Sequence, residues 1–131
     1  MKYHSGTFIN LISLDLPTPH DEMNDTNSVP TFPVMYFNAR SLINKHALLQ
    51  SYAMEIKPKL IAITETWAKP EMRDGKSIFS LPGYSLLRDD RHAKRGGGVM
   101  IYISSDISNS QVSLGSFPEF EFVCCKLRSY H

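Results

Sequence analysis

Two polar residues stand where apolar runs end. In "KLIAITETW" the run from Leu60 to Ile63 leads through Thr64 to a lone carboxylate, Glu65, beside the chain's one tryptophan, Trp67. The shorter run "VMYF" ends on Asn38. A run of the first kind buries both faces of a strand, so the acid at its end falls at the sheet edge, where solvent, a ligand or a metal meets it. A carboxylate and a carboxamide oxygen are hard donors that suit Mg²⁺, which takes one or two carboxylates and leaves its other positions to water and phosphate oxygens. A third group is "RDDRHAKRGGG", in which Arg88, Arg91, Lys94 and Arg95, with His92, face Asp89 and Asp90 and lead into Gly96, Gly97 and Gly98. Glycines let backbone N–H groups come close to a phosphate, and arginines hold a nucleic-acid backbone without reading its sequence. The run lacks the Gly-Lys-Ser/Thr ending of a nucleotide-binding P-loop.

The elements that must position these groups follow from periodicity. "VMYF" is a short strand, and "NARSLI" reads as a loop. Leu48, Leu49, Tyr52, Ala53 and Ile56 then recur at three- and four-residue steps, with Asn44 as N-cap and Lys57-Pro58 as the stop. This predicts one amphipathic helix of about three turns. The buried strand 60–64 comes next, then a polar loop whose Pro82-Gly83 pair marks a turn. "YSLLR" and "VMIYIS" are further strands, "QVSL" a weaker one, and "FEFVCCKL" a last strand in which Phe120, Phe122 and Cys124 alternate against Glu121, Val123 and Cys125. Strand, helix, strand, then several strands predicts a mixed α/β sheet with one right-handed crossover followed by hairpins. The crossover makes the strands ending in Asn38 and Glu65 parallel neighbours, so both residues fall at the C-terminal edge of one sheet, where open α/β folds keep their sites.

Composition bounds the rest. With 131 residues, of which 42% are hydrophobic and 21% charged, there is material for a single domain. Residues 16–31, "LPTPHDEMNDTNSVPT", have few apolar anchors, so residues 1–32 read as a linker-like or disordered arm and residues 33–131 as the domain. A formal net charge of +1 gives no global field, so attraction to phosphate has to come from a local cluster. Cys124 and Cys125 are adjacent and poorly placed to pair with each other, which favours a reducing compartment and buried thiols. The early run "TFINLISLDL" is broken by Asn10 and Asp15 and leads into prolines, so it reads as neither a signal peptide nor a membrane span. An intracellular location, nuclear or cytoplasmic, is the expectation.

On periodicity alone the ordinary readings win. Glu65 is then a strand-end carboxylate that caps a loop or pairs with a lysine, and Asn38 a turn residue with an Asx hydrogen bond. The basic stretch is equally well a solvated hairpin loop, and Trp67 and Tyr84 are packing residues as readily as base-stacking ones.

Resemblance shifts that balance. "FNARSLINKHALL", "KPKLIAITETW" and "LPGYSLLRDDRHAKRGGGVMIYIS" follow one another with spacing that resembles the N-terminal half of an endonuclease/exonuclease/phosphatase domain. More narrowly they resemble the apurinic-type endonuclease of non-LTR, LINE-like retrotransposon polyproteins of the RTE, CR1 and Jockey kind, over about residues 33–128. The resemblance implies a four-layer α/β sandwich with its second sheet largely missing, Glu65 as the metal-binding glutamate, and Asn38 as the asparagine that helps organise metal and phosphate. It implies a Mg²⁺-dependent cleavage of DNA, which in the retroelement branch primes reverse transcription. Arg88, Arg91, Lys94, Arg95, Gly96 and Gly97 would contact DNA phosphates.

The family's other machinery is a tyrosine, an Asp-x-Asn motif and a terminal Asp-His pair, and none of these is in the chain. His131 has no acid beside it and no "GDFN"-like stretch occurs. A metal on one carboxylate, with no positioned base and no stabiliser for developing charge, predicts little or no cleavage by this chain alone. The missing second sheet that the resemblance implies would leave the apolar inner face wet, a patch rarely tolerated on a monomer. Two alternatives remain open: a fragment of a phosphatase of the same superfamily acting on inositol phosphates or phospholipids, and a non-catalytic nucleic-acid-binding remnant.

Overall fold

The computed structural model describes residues 32–72, 78–92, 94–115, 117 and 119–128. Among the described residues there are six strands and one α-helix: β1 (Val34–Asn38), α1 (His46–Ile56), β2 (Leu60–Thr64), β3 (Tyr84–Asp89), β4 (Val99–Ser104), β5 (Ser108–Gln111) and β6 (Cys125–Arg128). Strands β1, β2, β4 and β3 form one mixed sheet in that order, and β5 and β6 pair as a separate ribbon. The β1–β2 pair is parallel and the others are antiparallel. The arm expected over residues 1–32 lies outside the described residues except for Phe32.

β2 and β4 carry the core because every residue of β2 and five of six in β4 are buried. The period-2 alternation sorts them between two faces. Ile61 and Ile63 join Met100 and Tyr102 against α1, through Leu49 and Ala53, and against Phe79 and Leu81. Leu60 and Ala62 join Val99, Ile101 and Ile103 on the opposite face. Register enforces the sorting, since Ile61 lies opposite Tyr102, Ile63 opposite Met100, and Ala62 opposite Ile101.

That opposite face corrects the expectation of a wet inner surface. Ile107, Val123 and Leu127, brought in by and next to the β5–β6 ribbon, close over it with Phe32, Leu87 and Cys125 packed alongside. Among the described residues its β1 margin stays open, where Val34 and Tyr36 are exposed. β1 is also an edge strand. Pro33 O and Ala39 N–H bond toward β2, so by alternation the backbone groups of Val34, Tyr36 and Asn38 point away from the sheet.

Local differences from the sequence reading have local causes. Asn44 does not cap the helix: a 3-10 turn, Ile43–Lys45, precedes α1, Lys45 holds the cap position without a side-chain bond, and its ammonium reaches back to Ala39 O. The stop is as expected, with Lys57 in left-handed backbone donating its N–H to Ala53 O at 2.9 Å before Pro58. Of the apolar stripe only Leu49 and Ala53 are buried, while Leu48, Tyr52 and Ile56 are exposed. At about 100° per residue the stripe spans about 140°, and the sheet meets only one margin of it.

The weak strand expected at 111–114 sits instead at Ser108–Gln111, although Val112 still donates to Cys124 O. The last strand is shorter than "FEFVCCKL". Phe122 N–H turns to the Asp89 carboxylate at 3.0 Å and Glu121 turns inward, so regular pairing begins only at Cys125. Phe117, Phe120 and Phe122 gather into an aromatic cluster with centroids 5.2–5.9 Å apart.

Candidate functional site around Glu65

The C-terminal ends of β1 and β2 are zipped together by three backbone bonds, Ala39 N–H to Thr64 O, Ser41 N–H to Glu65 O and Leu42 N–H to Thr66 O, at 2.8–3.0 Å. Four residues in these two loops hold left-handed backbone without being glycine: Arg40, Ser41, Glu65 and Trp67. Such conformations cost about 1–3 kcal/mol each and persist only where surrounding contacts over-determine them. The cross-loop bonds, and those of Thr66 N–H to Gly98 O and Trp67 N–H to Gly97 O, are such contacts here.

Glu65 is buried, at 9% exposure. Its Oε2 accepts the indole N–H of Trp67 at 2.8 Å and the Gly97 N–H at 3.2 Å. Among the described residues no hydrogen bond reaches its other oxygen. Asn38 pairs in register with Thr64, one residue before Glu65, and is exposed. Its Oδ1 accepts the Arg40 N–H at 3.2 Å, an Asx turn, and it makes no hydrogen bond to Glu65. The two candidate ligands therefore share a sheet edge without direct contact.

The glycine run is shaped by side chains packed against it. A side-chain carbon on Gly97 would run into Glu121 and Arg91, and one on Gly98 into Thr66 Oγ1, while both residues also hold positive φ. Two of the three glycine N–H groups that the sequence reading offered to phosphate are committed elsewhere: Gly97 donates to Glu65 and Gly98 to Glu121 Oε1, at 2.8 Å. The basic stretch divides in two. Arg88 faces inward, its guanidinium bonded to Asp90 at 2.7 Å and to the carbonyls of Lys69 and Met72, over the ring of Phe79. With side-chain exposures of 10% and 0%, that pair belongs to the interior, and Arg88 has no face left for a DNA phosphate. Arg91, Lys94 and Arg95 face the other way and line a cleft of about 510 Å³ with Ser41, Trp67 and Lys69. Arg95 lies over the Trp67 ring at 5.6 Å.

Glu121 was not among the residues singled out by sequence. It is 7% exposed and accepts both the Gly98 N–H and Arg91 Nε, the latter at 2.9 Å. The signal was present: a carboxylate inside the apolar run "FEFV" poses the same question as Glu65 at the end of its own run.

Oxygen chemistry at Glu65 fits a hard divalent cation, because one carboxylate oxygen is steered by two N–H donors and the other is open to a ligand. Among the described residues no three His, Cys, Asp or Glu side chains gather around a common point, so such a cation would rest mainly on water and phosphate.

No protein-family model and no curated protein matches the sequence. Solved structures do. The chain is similar to an AP endonuclease from Leishmania major, with a TM-score of 0.53 and 18% identity, over 61% of this chain and 27% of that one. It is also similar to an AP endonuclease from Archaeoglobus fulgidus, with a TM-score of 0.48 and 21% identity, over 64% of this chain and 33% of that one. The fold is accordingly a mixed-sheet α/β fold like that of the Leishmania major AP endonuclease, present in part. The chain spans a third or less of the neighbours' length.

Proposed function

We propose that this chain is the N-terminal part of a Mg²⁺-dependent DNA endonuclease domain of the non-LTR retrotransposon kind. The carrying observation is Glu65. A buried acid at the C-terminal end of a central strand, in left-handed backbone and with one oxygen held by two N–H donors, is positioned for a purpose that stability does not require. It stands beside a cleft whose exposed cations, Lys69, Lys94 and Arg95, match a phosphate backbone. Glu65 would hold the metal, with Asn38 at the same sheet edge. A bound Mg²⁺ supplies charge to a phosphoryl oxygen at cleavage. Trp67 fixes the carboxylate, and Arg95 lies over its ring.

Among the described residues no hydrogen bond pairs Glu65 with a histidine or a second carboxylate, so cleavage is expected to require further residues from a longer chain. A plasmid-nicking assay with Mg²⁺ tests this, using the 131-residue chain, a version extended through the downstream reading frame, and Glu65→Ala in each. The extended wild type is expected to nick, with its Glu65→Ala form and the short chain silent. Glu65-dependent nicking by the short chain would overturn the claim that further residues are needed. A non-catalytic nucleic-acid-binding role is favoured instead if DNA binding survives Glu65→Ala, needs no Mg²⁺ and falls steeply with salt.

A further inference from the structure

We infer that Glu121 is a positioning residue that aims Arg91 at the phosphate held beside Glu65, an inference that rests on the nucleic-acid reading above. Three atoms converge beside Gly96: a carbon placed on its Cα would lie 3.6 Å from Trp67 Nε1 and 3.8 Å from both Glu65 Oε2 and Arg91 Nη1. Arg91 thus brings a cation to the same point as the candidate metal-binding carboxylate. It forms no hydrogen bond with that carboxylate, because Glu121 Oε1 engages Nε on the other side of the guanidinium. Nη1 lies beside Gly96, which lines the cleft with Arg91.

The arrangement is built rather than incidental. Glu121 is buried, and it ties Arg91 and the Gly98 N–H with a single oxygen. The residue after it is anchored by Phe122 N–H to Asp89, at the end of the strand that leads to Arg91. Arg91 itself is 29% exposed, open to a ligand but not free to wander. A guanidinium held at Nε presents its two terminal groups as a planar fork, the geometry that matches two phosphate oxygens. The contrast with Arg88 supports the assignment, since Arg88 spends Nε and both terminal nitrogens on internal acceptors.

Charge and positioning predict opposite signs for one substitution. Removing a carboxylate from a DNA-facing surface raises local positive potential, so charge alone makes Glu121→Gln bind DNA more tightly. Positioning makes it bind more weakly, because the oxygen that holds Arg91 loses its charge and the anchor weakens. Gln keeps an amide oxygen for the Gly98 N–H, which preserves the loop.

The experiment is fluorescence anisotropy of a labelled duplex oligonucleotide with the full chain over a range of salt. Circular dichroism and Trp67 emission serve as checks on folding. Glu121→Gln and Arg91→Ala are each expected to weaken binding about tenfold and to lower the salt slope by about 1. The double variant should bind no more weakly than Arg91→Ala. Arg91→Lys, which leaves Glu121 untouched, keeps the charge but loses the fork and should weaken binding as Glu121→Gln does. Tighter or unchanged binding by Glu121→Gln, or additive losses in the double variant, overturns the inference alone. Wild-type chain with no salt-sensitive DNA binding overturns the nucleic-acid reading and the inference with it.

Discussion

The centre of the sheet and its β1 margin are built to different standards. β2 and β4 are dry on both faces, and at the β3 end the Arg88–Asp90 pair is enclosed as well. At the other end Val34, Tyr36, Leu48, Tyr52, Met54 and Ile56 all remain exposed, and among the described residues no strand pairs with the outer edge of β1. The difference teaches that exposed apolar surface among the described residues is localised. The ribbon β5–β6 seals the face over β2 and β4, so the exposure falls on the β1 side and not across the whole sheet. The candidate site lies at the C-terminal ends of β1 and β2, where the covered region meets the exposed one.

The largest expected effect separates two ion pairs. Asp90→Asn leaves Arg88 charged and enclosed and should cost about 3–5 kcal/mol in urea denaturation. Asp106→Asn at the Lys59–Asp106 pair, with side-chain exposures of 37% and 57%, should cost less than about 1 kcal/mol. Equal losses would mean that the β3 end is wetter than described. Next in size, Ile63→Ala at the centre should cost about 2–5 kcal/mol, whereas Tyr36→Ser or Met54→Ser should stay within about 0.5 kcal/mol. In the extended chain Tyr36→Ser should become costly while Met54→Ser need not, which would place the added chain on β1 specifically. A costly Tyr36→Ser in the 131-residue chain would break the comparison.

The same division governs what the sequence made legible. β2 and β4 were readable because a continuous apolar run buried on both faces leaves a signal in every residue. The crossover through α1 then placed Asn38 and Glu65 at one sheet edge by topology alone. The half-buried helix was read too generously, since periodicity reports which residues share a face and not how much of it is covered. β5 and the start of β6 were misplaced because their limits depend on distant contacts, Asp89 with Phe122 and Glu121 with Gly98, that no local period carries. Arg88 and Arg91 look alike in "RDDR", and only the fold turns one inward and the other to the cleft. Trp67 as the partner of Glu65 was two residues away in plain view, whereas Gly97 was 32 residues distant.

The smallest effect compares two tyrosines on the covered side of that divide, Tyr102 in β4 and Tyr84 in β3. Burial pushes the Tyr102 hydroxyl well above its ordinary range, with Arg88 pulling only weakly the other way. Tyr84, less buried, is raised by its partial burial and then by Asp106. Both donate to carbonyls at 2.6 Å, Tyr102 to Phe79 O and Tyr84 to Pro58 O. Below pH about 10 each is protonated in folded and unfolded chain alike, so neither makes stability depend on pH there. As pH rises past that value the unfolded chain releases its proton while the folded one retains it, and stability falls. Tyr102→Phe should cost about 1 kcal/mol at neutral pH through the lost hydrogen bond, and should flatten the alkaline fall. Tyr84→Phe should flatten it less, because water already reaches that hydroxyl. Urea midpoints at pH 7 and in steps above pH 10 measure both. A greater flattening by Tyr84→Phe would show that the β3 strand, rather than the β2–β4 centre, carries the dry interior.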